Sequence, residues 1–281
     1  MFQTIGRTWE LIKMSWAVLK KDRELVLFPV MSTVALVILA GLMMGVGSGL
    51  GTVDRLAGSG ASEVDIALLA VTYFLLAFVV IYFNSALIGA AMIRLAGGDP
   101  TVGDGLRMAN KRLPQILGWA LISATVGLIL QVLRSQSRDN MLGQIVLSLI
   151  GGVWAYLTYF VVPIVVAEGL GPIAAIRSSG SLFKRTWGEQ VTSNIGFGIL
   201  GFVAALIGAL PAILVAAVSL PVGIAVGVAT VGLALAIVTA LEGIFKAALY
   251  GYVADGRVPE DFTRDSLAGA YQSGARPYRP F

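Results

Sequence analysis

The stretch VTSNIGFGILGFVAALIGALPAILVAAVSLPVGIAVGVATVGLALAIVTALEGIFKAALY (residues 191–250) carries no charged residue until Glu242. A helix needs about 20 apolar residues to cross the hydrocarbon core of a bilayer, so this run holds two crossings. Ser219-Leu220-Pro221 marks the turn between them, because proline is poorly tolerated inside a helix and well tolerated at its start. Four further apolar runs lie upstream, at about Leu25 to Leu50, Asp65 to Ile93, Pro114 to Leu133 and Leu142 to Ala167. The reading is an all-α, polytopic membrane helix bundle of six transmembrane helices, spanning residues 25–253.

Composition agrees. Hydrophobic residues make up 57% of the 281 and charged residues 13%, against about 45–50% and about 25% in soluble domains. So few charges could not cover the surface of a soluble fold of this size. The first 24 residues are amphipathic rather than a short apolar core, so no cleavable signal peptide is expected.

Charge placement orients the bundle. With the N-terminus inside, residues 1–24 and the second-to-third, fourth-to-fifth and C-terminal connections together hold sixteen of the 20 cations. Arg55, Arg134 and Arg138 fall outside, and Lys246 sits near the end of span six. Lys and Arg accumulate on the cytoplasmic side of membrane proteins. The asymmetry requires an even number of spans and places both termini in the cytoplasm of a protein of the cell (inner) membrane. The basic balance (+4) sits beside apolar spans, so anionic lipid headgroups are the expected partner and nucleic acid is not.

The inner connections carry a second pattern. Phe2, Ile5, Trp9, Ile12, Trp16 and Leu19 recur every three or four residues, which predicts one apolar stripe on a helix over 1–24. Val102, Leu106, Ala109 and Leu113 repeat the spacing in 101–113, after an N-cap at Thr101 with Asp104 three residues on. Ile173, Ile176, Gly180, Phe183 and Trp187 repeat it in 172–187. The opposite faces carry Arg107, Lys111 and Arg112, and Arg177, Lys184 and Arg185, a candidate set for lipid headgroups. Each segment leads into a span, and Pro100 and Pro172 each precede a cation by 12 residues. A threefold internal repeat about an axis along the membrane normal accounts for this. So does the general need of any helix lying on a bilayer to be amphipathic and basic. Residues 254–281 read as a polar cytosolic tail, loosely ordered, with an amphipathic turn around Asp261 to Leu267.

Polar groups inside a bilayer are costly and mark candidate sites. Asn84 lies in span two, Glu168 ends span four five residues after Pro163, and Glu242 and Lys246 are four apart on span six. Proline frees a carbonyl that can bind a ligand or flex. The plainer readings are packing glue for Asn84, an interfacial carboxylate paired with Arg177 or Arg94 for Glu168, and an intrahelical ion pair for Glu242 and Lys246. Tyr156, Tyr159 and Phe160 read as packing, and Trp9, Trp16, Trp119 and Trp187 as interfacial anchors. Small-xxx-small pairs at Gly41 and Gly45, Ala204 and Gly208, and Gly223 and Gly227 permit close helix packing, within the bundle or between copies.

Little supports catalysis. The chain has no His and no Cys, which removes disulfides, thiolate nucleophiles, imidazole bases and most zinc sites. GVGSGLGT (45–52) fits no phosphate-loop pattern and reads as a helix end. Ser179 and Ser181 near Lys184 lack a base. No metal and no cofactor is expected.

Three strings, RTWELIKMSWAVLKKDRELVLFP (7–29), YFNSALIGAAMIRLAGGDPTVGDGLRMANKRLPQILGWALISATVG (82–127) and VPIVVAEGLGPIAAIRSSGSLFKRTWGEQ (162–190), resemble a family of uncharacterised prokaryotic six-helix membrane proteins. That family is distantly similar to the membrane portion attached to some glycerophosphodiester phosphodiesterases. The resemblance implies six spans and no active site, since the soluble enzyme domain and its metal ligands are missing. The expectation is a non-enzymatic organiser or binder of lipids or partner proteins at the inner leaflet, with a homo-oligomer or a membrane-protein partner as further partners. The alternative is a transporter or small channel built on Asn84, Glu168 and Glu242, and a lipid-modifying enzyme is a third reading.

Overall fold

The structure, a computed structural model, describes residues 2–58, 60–137, 140–186 and 193–269, without the side chains of 2–8, 183–186, 193–196 and 268–269. Every element among them is helical. In chain order these are α1 (Phe2–Lys21), a 3-10 turn (Arg23–Val26), α2 (Leu27–Gly49), α3 (Thr52–Ala57), α4 (Glu63–Leu95), α5 (Val102–Lys111) and α6 (Leu113–Gln136), then α7 (Met141–Leu157), α8 (Val161–Glu168), α9 (Pro172–Thr186), α10 (Ser193–Ala216), α11 (Leu220–Asp255) and α12 (Arg264–Gly269). Six segments are long and apolar enough to cross a membrane: 23–49, α4, α6, α7 with α8, 197–216 and α11. They match the expected spans, and the turn before Pro221 falls where proline sits in the first turn of α11.

Three helices form the centre. α4, α8 and α11 contact one another pairwise. α2 packs on α4 and α11, α6 packs on α4, α7 and α8, and α10 packs on α11. Each central helix ends at a glycine with positive φ, namely Gly97 (87°), Gly169 (69°) and Gly256 (69°). Each glycine is followed three residues later by a proline, Pro100, Pro172 or Pro259. Glycine takes the left-handed conformation that closes a helix without a Cβ clash, and proline prevents its continuation.

The two longest helices exceed the bilayer. α4 has 33 residues and is about 50 Å long at 1.5 Å per residue. α11 has 36 and is about 54 Å long. The hydrocarbon core is about 30 Å thick, so roughly two-fifths of each helix needs another cover. Burial concentrates there, at Ser85 to Ala91 of α4 and Ala240 to Tyr250 of α11.

The three connection helices supply that cover. α1 packs on α11, α10 and α12, α5 on α4 and α6, and α9 on α8, α7 and α6. They turn back along the central helices. The Tyr82 hydroxyl, on α4, donates to Asn110 Oδ1 at the far end of α5 at 2.7 Å. A Cβ on Gly105 of α5 would stand 2.7 Å from the Ala86 carbonyl oxygen and 2.4 Å from the Phe28 ring.

This packing moves the expected stripe of α1. Leu11, Ile12, Ser15, Val18 and Leu19 are buried, while Trp9 is 53% and Trp16 41% exposed. The side of α1 turned to α11 is one step round the helix from the tryptophan line. On α9 the buried positions are Ala175, Ser179 and Gly180, and Ile173 is exposed. Phe183 and Trp187 lie outside the described side chains. Trp119 is no interfacial anchor: it is buried and stacks on Trp154, ring centroids 6.0 Å apart. The first part of the tail packs back on the bundle, with α12 against α1. Phe262 and Leu267 are buried, and Lys21 Nζ meets Asp261 Oδ1 at 2.6 Å, which joins the two ends of the described chain. Residues 270–281 lie outside the description.

Arg94, in the last turn of α4, ties the corner together. It donates to the carbonyls of Gly98 and Lys21 and to Asp99 Oδ1, and its Nε lies 3.6 Å from Asp22 Oδ2. Burial pushes the Asp22 carboxyl up, with Arg94 opposing. At the other end of the bundle Arg55 donates through two nitrogens to Asp65, which also caps α4 with Ser62.

Close approach makes Gly105 the sensitive position of α5. Gly105→Ala should lower stability by about 1–3 kcal/mol through overpacking, whereas Gly103→Ala, exposed with only Thr101 Oγ1 nearby, should raise it by up to about 1 kcal/mol. Thermal melts in nanodiscs would measure both. The N-cap of α5 should respond to acid. The Thr101 hydroxyl and backbone N–H hold the Asp104 carboxyl below the usual carboxylate range. A carboxyl lowered on folding stabilises fully above its unfolded value of about 3.9, and loses that effect as pH falls through the folded value. The Tm advantage of the protein over Asp104→Ala should therefore be constant above about pH 5 and shrink below about pH 4.

Candidate functional site

Span four is not one helix. α7 stops at Leu157 and α8 starts at Val161. Pro163 explains the break, because it offers no N–H to the carbonyl four residues earlier, that of Tyr159. Irregular backbone at membrane depth persists only where it is buried in protein or lines a cavity. Both conditions hold here. The Phe160 N–H donates to the buried Ser179 Oγ of α9 at 3.1 Å, and the other side of the turn faces a cavity of about 430 Å³.

The cavity gathers polar groups from separate spans. Asn84 comes from α4, Thr158 and Tyr159 from the break, and Glu242 and Lys246 from α11. Phe197 and Gly198 of α10 form an apolar wall. Lys246 Nζ meets Glu242 Oε1 at 2.7 Å, as the spacing of four foreshadowed, and stands 5.3 Å from the centre of the Tyr159 ring. Thr158 donates back to the Trp154 carbonyl at 2.7 Å, so its oxygen can still accept. Asn84 makes no hydrogen bond among the described residues, and its amide is available to an occupant.

Depth follows from helix length. Asn84 is 21 residues beyond Glu63 and Glu242 is 22 beyond Leu220, about 32 and 33 Å at the helical rise. Both are one hydrocarbon thickness from the far ends of their helices. The cavity therefore lies toward the end of the bundle covered by α1, α5 and α9.

Glu168 is elsewhere. It accepts from the Tyr250 hydroxyl at 2.6 Å, not from Arg177 or Arg94, and it does not line the cavity with Asn84. Tyr250 borders a smaller, mostly apolar cavity of about 150 Å³ between the ends of α4, α8 and α11. The basic residues divide as well. Arg107 (ion-paired to Asp104 at 3.0 Å), Lys111 and Arg177 are exposed. Arg112 is half-buried against the end of α8. Its Nε lies 3.5 Å from the Val166 carbonyl, and its guanidinium fills the space beside Gly169 that a Cβ would need. A cation at a helix C-terminus complements the partial negative charge there. The side chains of Lys184 and Arg185 lie outside the description. The small-residue pairs also divide. Gly223 packs on Ala216, Gly227 on Ala212 and Gly208 on Thr230, sealing α10 to α11, while Gly41 and Gly45 have nothing within 4 Å.

Sequence reading missed Ser179 as the acceptor at the break. Its offset from Gly180 on the buried line of α9 was the available signal. Ser179→Ala should leave the Phe160 N–H buried without an acceptor and cost about 1–3 kcal/mol. Ser181→Ala, exposed and bonded among the described residues only to the Ser178 carbonyl, should be near neutral. Chemical denaturation of both variants in matched detergent would show the difference.

No curated protein matches the chain. A family match covers residues 63–260, from the start of α4 past the end of α11, and includes every residue that lines the two cavities. With the matched region taking in all three central helices, the chain belongs to DUF6159, a family of unknown function.

Proposed function

We propose that this multi-pass membrane protein is a non-enzymatic binder and organiser of lipid at one leaflet, the cytoplasmic leaflet of the inner membrane. The observation that carries the reading is the layer formed by α1, α5 and α9 around the projecting ends of α4 and α11. We read these three as amphipathic helices. Their inner sides bury Val18, Ala109 and Ala175, and their outer sides expose Lys13, Lys20, Arg107, Lys111 and Arg177. Trp9 and Trp16 on α1 are also exposed, and indole rings favour the headgroup region. Each cation near an anionic surface contributes about 1 kcal/mol, so the layer gathers anionic lipid without a deep pocket.

We also read a threefold repeat in this layer. In the stops after α4, α8 and α11 the proline follows the positive-φ glycine by the same three residues, and each connection helix packs on the second span of the preceding unit, with α1 closing the ring on α11. The likeness to the membrane portion attached to some glycerophosphodiester phosphodiesterases rests on the three strings alone and carries no activity. Transport is the second reading, favoured by the broken span and its polar cavity.

In vesicles containing phosphatidylglycerol and phosphatidylcholine, the protein should enrich anionic lipid around itself, measured by lipid mass spectrometry of polymer-excised particles. Arg107→Gln, Lys111→Gln and Arg177→Gln together should reduce the enrichment at least severalfold. Unchanged enrichment would sink the organiser reading. Solute flux abolished by Asn84→Leu would replace it with transport.

A further inference from the structure

We infer that the cavity between α4, the α7–α8 break and α11 is a binding site for the headgroup of a zwitterionic phospholipid, one carrying an ammonium and a phosphodiester. The site is separate from the exposed basic layer and does not depend on it.

Charge selects the class. Among the described residues that line the cavity there is one cation and one anion, Lys246 and Glu242, which pair with each other at 2.7 Å. A lone anion would gain Lys246 and leave Glu242 without its partner, and a lone cation would do the reverse. In a partly desolvated cavity that loss is costly. A ligand with both charges replaces the pair on both sides. Its phosphodiester takes Lys246 and the Asn84 amide, and its ammonium takes Glu242 and the face of Tyr159, toward which Lys246 already points. A cavity of about 430 Å³ lies in the range of small-molecule sites and has room for a headgroup.

Topology selects a lipid over a free solute. Two of the three seams around the centre are closed, because α2 packs on α11 and α6 packs on α4. The corresponding seam of α10 on α8 has no comparable contact among the described residues. The cavity occupies that seam, with Phe197 and Gly198 on one side and Val162 on the other. A headgroup seated there can leave its acyl chains in the bilayer.

The test uses the full chain reconstituted in nanodiscs of equal phosphatidylethanolamine and phosphatidylglycerol. After transfer to mild detergent, native mass spectrometry counts and weighs the retained lipid. The expected result is one phosphatidylethanolamine per chain, favoured at least tenfold over phosphatidylglycerol. Glu242→Gln, nearly isosteric, removes the ammonium partner and should reverse the preference toward phosphatidylglycerol. Asn84→Leu should reduce retention of either lipid, with an unchanged melting profile showing that the fold is kept. No tightly held lipid, no headgroup preference in the parent protein, or an unaltered ratio in Glu242→Gln would overturn the proposal. Displacement by free ethanolamine phosphate at the concentration at which phosphatidylethanolamine binds would overturn the lipid assignment. Failure here leaves anionic enrichment around the basic layer untouched, so the two readings fall separately.

Discussion

A mismatch of length governs this molecule. Two of its three central helices are about 20 Å longer than the hydrocarbon core they cross. Extra helix beyond the membrane surface must meet water or protein, and the surplus of α4 and α11 is too apolar to meet water. The connection helices fold back over it, which is why the tightest packing lies at one end of the bundle. The other end, from Val34 to Leu50 or Leu206 to Val228, keeps its apolar side chains exposed for lipid. Close backbone approach makes the cover work. Gly105 lets α5 reach the α4 backbone, and Gly243 admits Leu87 against α11.

A second constraint follows from the first. Backbone polar groups need partners wherever water is scarce. Proline at 163 breaks the fourth span within the covered layer, and α9 brings Ser179 to the Phe160 N–H. Because α9 reaches in on one side only, the other side of the break faces the cavity. The break, its hydroxyl partner and the Glu242–Lys246 pair are parts of one arrangement at the end of the bundle that α1, α5 and α9 cover.

Charge has two separate uses at this end. Arg94 and Arg112 hold carbonyl-rich helix ends and corners, at Gly98 and Lys21 and at Val166 and Gly169. Arg107, Lys111 and Arg177 face outward. A count of cations treats these groups alike, whereas burial separates those that hold the fold together from those on the exposed surface.

The sequence by itself determined the class and the crossings. Long apolar runs, the scarcity of charge and the proline at 221 leave no alternative to membrane helices, because such runs cannot be placed in water. The spacing of Glu242 and Lys246 set their ion pair, and Thr101 with Asp104 set the cap of α5, since both depend on neighbours within one turn. Contacts between distant segments were decided only by the tertiary structure. Periodicity marked an apolar stripe on α1 but could not tell a face turned to α11 from one turned to lipid, so Trp9 and Trp16 seemed equivalent to Leu19. Glu168 and Asn84 looked alike as intramembrane polar groups, yet one meets Tyr250 and the other a cavity. Arg112 looked like its neighbours on the basic face until the end of α8 arrived beside it. Local chemistry is written in local sequence, while the partner of a buried or polar face depends on which distant helix the fold brings to it.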